Sequence, residues 1–394
     1  MTAVLIPADV RFPLERANGV QIVKTAAALA RAGAAATLLV RDSDPRPTDE
    51  ILPLFGILPG GLRVRRLAVL HRRGSFAVPR AAFLARAGAA CLAALHRGAV
   101  VFTRDLQLAD LLLSLRRRAR IVYEAHAVES ILYRERGALY GTAEAPQAAK
   151  AERLRRREAR VWRRARAFVA TTAGIRDTFT EQFGPRGRVS VVANGCDVPA
   201  DRTFPGLATG QPPRILYAGQ LYPWKGVDIL VDAVAQVPAA RLVILGGMPG
   251  EADESRIRAR AEALGIADRV ELRGQVPQPE VARELAQARV VVVPVRRTEM
   301  TLRHTSPLKA FEAMAAGRAI LASDLPSSRE FLRHGENAWL VPPDDPAALA
   351  SGLTRLLGDA ALSERIARTA FEDAVAFSWD ARARRLMEVF TEIA

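Results

Sequence analysis

Two successive series of apolar strands and amphipathic helices are the feature that most restricts how this 394-residue chain can fold. In the first series, predicted strands and helices alternate at residues 2–9, 18–33, 35–42, 99–105, 106–117, 119–127 and 167–174. The second series restarts with the strand RILYAGQL (214–221) and includes predicted helices at 303–317, 326–334, 346–357, 361–375 and 378–393. Such alternation predicts parallel sheets covered by helices, so we expect an α/β protein with two doubly wound, Rossmann-like domains.

A stretch rich in Pro, Gly and small residues, VPADRTFPGLATGQP (198–212), separates the two series. We therefore predict an N-terminal domain over residues 1–200 and a C-terminal domain over residues 201–376, followed by a last helix at 377–394. Two such domains in tandem normally bind a ligand in a cleft between them, at the carboxyl ends of the strands.

The composition is that of a globular protein, with 49% hydrophobic residues to fill two cores. The only cysteines, Cys91 and Cys196, show neither metal-ligand spacing nor a disulfide framework, which favours a reducing cytoplasm. No signal peptide is recognised, and no apolar run reaches the roughly 18–20 residues that a bilayer-spanning helix requires.

The net charge of +15 is confined to one half of the chain. Residues 1–200 contain 33 Lys and Arg against 17 Asp and Glu, whereas residues 201–394 contain 24 against 25. One predicted helix, residues 150–166, carries nine basic and two acidic residues. A basic half indicates an anionic partner, either membrane lipid, a phosphorylated glycan or nucleic acid, unless the helix is merely solvated. Nucleic acid is disfavoured, because aromatic residues are only 6% of the chain and are not interleaved with the arginines.

The stretch RHTSPLKAFEAMAAG (303–317) predicts a helix start with an unusual charge. Ser306 suits the N-cap, Pro307 the first helical position and Gly317 the end. Lys309 then falls in the first turn, where the helix dipole disfavours a cation by a few tenths of a kcal/mol, roughly. A bound diphosphate would explain this lysine as a counter-charge, and Glu312 could accept hydrogen bonds from the two hydroxyls of a ribose.

Other candidate ligand-binding residues follow predicted strands. The amides of Thr305 and Leu308 would serve the same diphosphate as Ser306, since a helix start leaves its first amides without partners. Lys225, beside a glycine and before a helix, is a second phosphate candidate, although an ordinary exposed lysine in a turn is the alternative. Gly19 lies where the backbone can approach a ligand closely. His126 ends a strand beside two glutamates, where its charge is tunable, although a lone histidine is more often structural.

Four segments are the most specific motifs of the chain: VVANGCD (191–197), AGQLYPWKGVDIL (218–230), SPLKAFEAMAAGRAILASDLPSSREFL (306–332) and GENAWLVPPDD (335–345). Together they resemble the retaining GT-B glycosyltransferases of the large family 4. The resemblance implies two Rossmann-like domains facing across a cleft, with the last helix crossing back to the first domain. It also implies transfer of a hexose from a nucleotide-diphosphate sugar such as a UDP-sugar to a glycan or lipid-linked acceptor, without metal or other cofactor, in bacterial cell-envelope polysaccharide synthesis. The donor would bind mainly to the C-terminal domain and the acceptor mainly to the N-terminal domain.

The resemblance also assigns roles to residues of this chain. It implies a catalytic group of His126, Lys225 and Glu312. It implies diphosphate contacts from Gly19, Lys225, Thr305, Ser306, Leu308 and Lys309. It implies donor-sugar or nucleoside contacts from His304, Glu312, Val276 and Gly219.

The chain departs from the family pattern at three places. His304 stands where the family often has a first glutamate, which puts the identity of the donor sugar in doubt. Gln220 replaces the common arginine after Gly219, so one phosphate-binding charge is missing, and Arg303 is one candidate to compensate. NAWLV (337–341) replaces the usual Asn-Gly pair. A nucleotide-sugar epimerase of the same fold remains an alternative. A phosphorylase is disfavoured because no lysine lies in a sequence context that suits a pyridoxal Schiff base. A dehydrogenase is disfavoured because no G-x-G-x-x-G motif follows the first strand.

Overall fold

The structure, a computed structural model, describes residues 1–13, 17–58, 60–69, 77–143, 145–247 and 252–393. These residues form two compact units. The first unit comprises Met1–Ser130, Gln147–Asn194 and Trp379–Ala394, and the second comprises Ile131–Pro146 and Gly195–Ser378. The chain therefore passes between the units after Ser130, Pro146, Asn194 and Ser378, and the segment Ile131–Pro146 lies with the second unit.

A seven-stranded parallel sheet with the order β3-β2-β1-β4-β5-β6-β7 forms the centre of the first unit. Its strands are β1 (Ala3–Phe12), β2 (Ala35–Asp42), β3 (Arg63–Leu67), β4 (Val100–Thr103), β5 (Ile121–Ala125), β6 (Ala167–Ala170) and β7 (Val189–Val191). The helices of this half of the chain are α1 (Ala17–Arg31), α2 (Thr48–Ile51), α3 (Ala77–His96), α4 (Leu106–Leu115), α5 (Glu129–Tyr140), α6 (Ala148–Arg164) and α7 (Ala173–Phe183). The last helix of the chain, α15 (Trp379–Thr391), packs on α1 within the same unit.

The second unit has a six-stranded parallel sheet with the order β10-β9-β8-β11-β12-β13. Its strands are β8 (Arg214–Ala218), β9 (Arg241–Leu245), β10 (Val270–Leu272), β11 (Val290–Val293), β12 (Ala319–Ser323) and β13 (Trp339–Val341). Its helices are α8 (Val227–Ala235), α9 (Ala252–Ala263), α10 (Gln278–Gln287), α11 (Glu299–His304), α12 (Leu308–Ala315), α13 (Pro346–Gly358) and α14 (Ala360–Asp373). The prediction of two doubly wound α/β domains is confirmed.

Apolar strand sequences explain why both sheets are buried. β11 reads VVVV, and β-branched residues suit a strand that is covered on both faces. The helices turn apolar stripes toward these strands, as in α8, where Val227, Leu230 and Val234 are completely buried. Each such side chain contributes about 1.5–3 kcal/mol when it leaves water. The polar residues at the carboxyl ends of the strands are therefore held by a rigid frame.

Two predicted helices differ from the structure. The helix expected over 303–317 begins only at Leu308, with Pro307 in extended backbone as its N-cap, and the separate short helix α11 precedes it. Ser306 is consequently not the N-cap, because Pro307 itself has extended backbone and the helix begins one residue later than predicted. The helix expected near 326–334 is reduced to a single 3₁₀ turn, Ser328–Glu330. Gly317 ends α12 as predicted, with a φ of +62°.

Candidate active site

The order of strands reverses between β8 and β11 in the second unit, where the two strands pair in parallel. Loops that follow such neighbouring strands lie at one edge of the sheet, the usual ligand-binding position of doubly wound folds. Lys225 follows β8, and α11 and α12 follow β11. The sheet thus brings the predicted phosphate-binding residues of both loops to its switch point.

The loop that carries Lys225 is fixed against the loop after β11. Residues Pro223–Lys225 form a 3₁₀ turn that ends at Gly226 with a φ of +67°. A Cβ atom at Gly226 would lie 1.9 Å from the carbonyl oxygen of Pro294, so only glycine fits there. The backbone amide of Arg296 also donates to the carbonyl oxygen of Trp224 at 2.9 Å. The two loops therefore form one rigid edge.

Lys225 is half-buried at this edge, and its ammonium lies 3.9 Å from the centre of the Trp224 ring. Burial lowers the pKa of Lys225 to about 8. The lysine is thus mostly cationic at neutral pH, and it is poorly solvated, which strengthens its attraction to an anion.

The first turn of α12 has no side-chain cap. The amides of Leu308 and Lys309 open this eight-residue helix, at the end where the helix dipole attracts negative charge. The Lys309 ammonium lies 2.6 Å from a carboxylate oxygen of Glu312, and both side chains are half-buried. The two residues assigned to diphosphate and ribose therefore pair with each other in this structure.

Thr305 and His304 lie just before α12 and are buried. The Thr305 hydroxyl is held internally, 2.7 Å from the Ser327 hydroxyl and 3.2 Å from the Thr301 carbonyl oxygen. The imidazole of His304, only 3% exposed, has no hydrogen-bond partner for either ring nitrogen among the described residues. Burial, together with the neighbouring Arg303, lowers the pKa of His304 to about 4, so the ring is neutral at pH 7.

Gly219 and Val276 follow β8 and β10 at the same edge. The amide of Gly219 donates to the Leu245 carbonyl oxygen at 2.8 Å, and a Cβ atom at Gly246 would lie 1.9 Å from the carbonyl oxygen of Gly219. The backbones at the ends of β8 and β9 therefore pack directly on each other. Val276 is half-buried in the loop before α10.

His126 belongs to a buried charged cluster in the first unit. Its Nε2 lies 2.8 Å from a carboxylate oxygen of Glu124, whose other oxygen pairs with the guanidinium of Arg382 on α15. Burial would raise the pKa of Glu124, but Arg382 and His126 outweigh it and hold that pKa well below its usual range. Burial lowers the pKa of His126, opposed by Glu124. Because an ionised carboxylate only accepts, Glu124 fixes the proton on Nε2 and leaves Nδ1 as an acceptor.

Gly19 lies in the first turn of α1, after β1, and is buried. Arg104, which follows β4, donates to the carbonyl oxygen of Asn18 at 3.0 Å and to Gln21 at 3.1 Å. Gln21 in turn lies 3.4 Å from Glu124. Asn18, the neighbour of Gly19, is thus linked to His126 by one network at the switch point between β1 and β4 of the first sheet.

Sequence reasoning missed three residues that hold these loops. Arg382 sits on the buried face of α15, and an arginine among apolar positions of an amphipathic helix is the one signal that could have revealed it. Arg296 donates through Nε to the Pro223 carbonyl oxygen at 3.1 Å. Glu135 accepts from the first two amides of α11. Neither Arg296 nor Glu135 lies in a sequence pattern that would have indicated its role.

Two protein-family models match this chain. The model described as "Glycosyl transferase 4-like domain" matches residues 18–195, and "Glycosyl transferases group 1" matches residues 212–359. Over 248 residues, the chain is 33% identical to a D-inositol 3-phosphate glycosyltransferase of Thermomonospora curvata, a match that covers 57% of this chain and 56% of that protein. The chain spans about half the length of the curated relatives that it matches.

Solved structures share the fold at low sequence identity. Sucrose-phosphate synthase from Thermosynechococcus elongatus matches with a TM-score of 0.75 and 22% identity, covering 100% of this chain and 99% of that one. HepE of Anabaena, crystallised with UDP and glucose, matches with a TM-score of 0.72 and 18% identity, covering 98% and 99% of the two chains.

Proposed function

Because the chain belongs to the GT-B glycosyltransferases of the GT4 type, we propose that it transfers a hexose from a nucleotide-diphosphate sugar to a hydroxyl acceptor. We further propose that the anomeric configuration is retained and that no metal takes part. The acceptor is a glycan or a lipid-linked saccharide. The observation that carries the proposal is the uncapped first turn of α12, which lies with Lys225 at the switch point of the second sheet.

The donor diphosphate would lie against the amides of Leu308 and Lys309. Two ammonium groups, the helix dipole and the amides would together stabilise the charge on the leaving diphosphate, and such preorganised stabilisation is usually the largest contribution to rate. This is the chemical role that a divalent cation plays in other transferases. When the diphosphate takes Lys309, Glu312 is released from its 2.6 Å pair and becomes free to accept two ribose hydroxyls.

Neutral His304 is proposed to contact the donor sugar. A neutral imidazole offers one donor and one acceptor, where a carboxylate would offer only acceptors. His304→Ala should reduce kcat/KM for the sugar nucleotide while the affinity for the free nucleoside diphosphate stays within about twofold. An equal loss for both ligands would contradict a role at the sugar.

The comparisons suggest a first donor and a first acceptor to test. HepE was crystallised with UDP and glucose, which favours a UDP-hexose as the first donor to test. The curated relatives named D-inositol 3-phosphate glycosyltransferase make a phosphorylated hydroxyl compound a reasonable first acceptor.

A donor and acceptor screen tests this proposal. Purified protein is incubated with each UDP-, GDP- and ADP-hexose, with and without acceptor, in buffer containing EDTA. The proposal expects acceptor-dependent release of nucleoside diphosphate, and NMR coupling constants that show the donor's anomeric configuration in the product. Inversion, or dependence on added metal, would refute the corresponding part. Conversion of the donor sugar without acceptor would instead identify an epimerase.

A surface of the first unit is proposed to contact anionic lipid. On α6, Arg160 pairs with Asp110 of α4 at 2.7 Å, which places the two helices side by side. Exposed arginines of this surface are Arg116, Arg117, Arg118, Arg153, Arg155, Arg156, Arg163 and Arg164. Leu111 and Leu115 of α4, which precede Arg116 in the chain, are 41% and 63% exposed. Exposed leucines among arginines suit a peripheral protein that docks on an anionic membrane and meets lipid-linked acceptors there. Among the described residues, no helix is long and apolar enough to cross a bilayer.

Vesicle sedimentation tests the lipid contact. Vesicles rich in phosphatidylglycerol should retain the protein at low salt, and phosphatidylcholine vesicles should not. Replacing Arg153, Arg155 and Arg156 with Glu should abolish retention, whereas the same replacement of three exposed arginines of the second unit, Arg355, Arg365 and Arg368, serves as the matched control. Equal binding to both vesicle types, or no binding to either, would remove this idea.

A further inference from the structure

Residues 131–141, the later part of α5 and the residue after it, contact both loops of the proposed donor site, although they come from the N-terminal half of the chain. We propose that this segment, which we name the brace, sets the positions of the two donor-side loops and that Glu135 is its positioning residue. The proposal rests on the donor site argued above and adds a group that does not itself touch the donor.

The first contact is a carboxylate cap on α11. The Glu135 carboxylate accepts from the amide of Glu299 at 2.9 Å with one oxygen and from the amide of Met300 at 2.7 Å with the other. The next amide, that of Thr301, donates to the Thr298 hydroxyl at 3.0 Å. The three amides that open α11 are therefore all satisfied, and a full negative charge stands at the positive end of the helix dipole.

This cap acts on the donor site through a short helix. α11 has only six residues and ends at His304, directly before Thr305 and the open start of α12. A helix of six residues is not stable by itself, so its position depends on its caps and its packing. Loss of the Glu135 carboxylate would therefore change the position of the residues that open α12.

The second contact is with the Lys225 loop. The ring of Tyr140 meets the ring of Tyr222 edge to face, with centroids 5.0 Å apart. A Cβ atom at Gly141, whose φ is +64°, would lie 3.4 Å from Cγ of Pro223. Tyr222 and Pro223 immediately precede the turn that presents Lys225. One segment thus supports the loops after β8 and β11 at the same time.

The variants Glu135→Ala and Glu135→Gln, with Arg134→Ala as the control, test the brace. Arg134 is exposed on the same helix. Two readouts are measured well below the unfolding temperature: the Kd for UDP, and hydrogen exchange at the amides of Glu299 and Met300. Glu135→Ala should raise the Kd about three- to tenfold, the range that corresponds to losing one or two capping hydrogen bonds, and should speed exchange at both amides. Glu135→Gln keeps one acceptor oxygen and should show a smaller effect in both readouts, while the control shows none.

The outcomes distinguish a failure of the positioning role of Glu135 from a failure of the proposed donor site. Faster exchange with an unchanged Kd would reduce Glu135 to a purely structural cap and overturn the positioning role. Unchanged exchange would overturn the cap itself. If wild-type protein binds UDP and every other nucleoside diphosphate no better than background, the proposed function fails, and the donor role of the brace fails with it.

Discussion

Helices α11 and α12 follow one another in the chain, yet their first amides have opposite surroundings. The start of α11 is closed by Glu135 and by the capping box of Thr298 and Thr301. The start of α12 has no side-chain cap and carries a lysine where an anion would be favoured. We interpret the fully hydrogen-bonded start of α11 as a structural helix end. We interpret the uncapped start of α12 as a ligand-binding helix end. The difference also predicts which amides a ligand will occupy.

The largest effect is expected from removing the two lysines of the proposed diphosphate site. Lys309→Ala and Lys225→Ala should each lower kcat/KM by about 10²-fold, because each deletes a charge that stabilises the leaving diphosphate. Steady-state kinetics with the identified donor measure this loss, with Arg365→Ala, at an exposed position of α14, as the control. Activity near that of the wild type in both lysine variants would contradict the phosphate assignment.

The pH dependence of donor affinity should follow Lys225. Its pKa of about 8 means that the ammonium loses its proton as the pH rises through this value, and the neutral amine no longer attracts a diphosphate. The Kd for UDP should therefore rise about tenfold between pH 7 and pH 9. Titration calorimetry of the wild type and of Lys225→Arg checks the cause, since arginine stays charged and its Kd should remain flat. An equal rise in both proteins would assign the effect to another group.

Replacement of Glu312 tests how the proposed site binds the nucleoside part of the donor. Glu312→Gln should weaken UDP binding by about tenfold, because a charged acceptor of hydrogen bonds is worth about 1.5–3 kcal/mol and part of its function survives in glutamine. The wild type should prefer UDP over 2′-deoxy-UDP, and Glu312→Gln should lose most of this preference. Retained discrimination in the variant would show that the ribose is recognised elsewhere.

Replacement of Thr298 is expected to have the smallest effect, and this effect is on thermal stability. Thr298→Ala removes a cap of α11 and should lower the free energy of unfolding of the second unit by about 1 kcal/mol, which calorimetry would register as a shift of about 2–4 °C. A variant with unchanged thermal stability would show that the capping box of α11 contributes nothing.

Local sequence patterns predicted the fold class and one residue of the candidate site. Strand and helix alternation identified the fold class, and Lys309 stood out because its charge conflicts with its place in a helix. Local patterns did not reveal that α11 exists, since six residues with a threonine cap resemble a loop. They also could not reveal Glu135 or Arg382, whose partners lie 164 and 258 positions away in the chain. Such pairs depend on tertiary packing, which no periodicity records.

Hydrogen exchange at individual amides, with and without saturating UDP, tests the central claim most directly. We expect UDP to slow exchange at Leu308 and Lys309, which open α12, and to leave the amides of Glu299 and Met300 unchanged because Glu135 already protects them. Binding of UDP that protects the start of α11, or that leaves Leu308 and Lys309 as exchangeable as before, would contradict the assignment of α12 as the diphosphate-binding end.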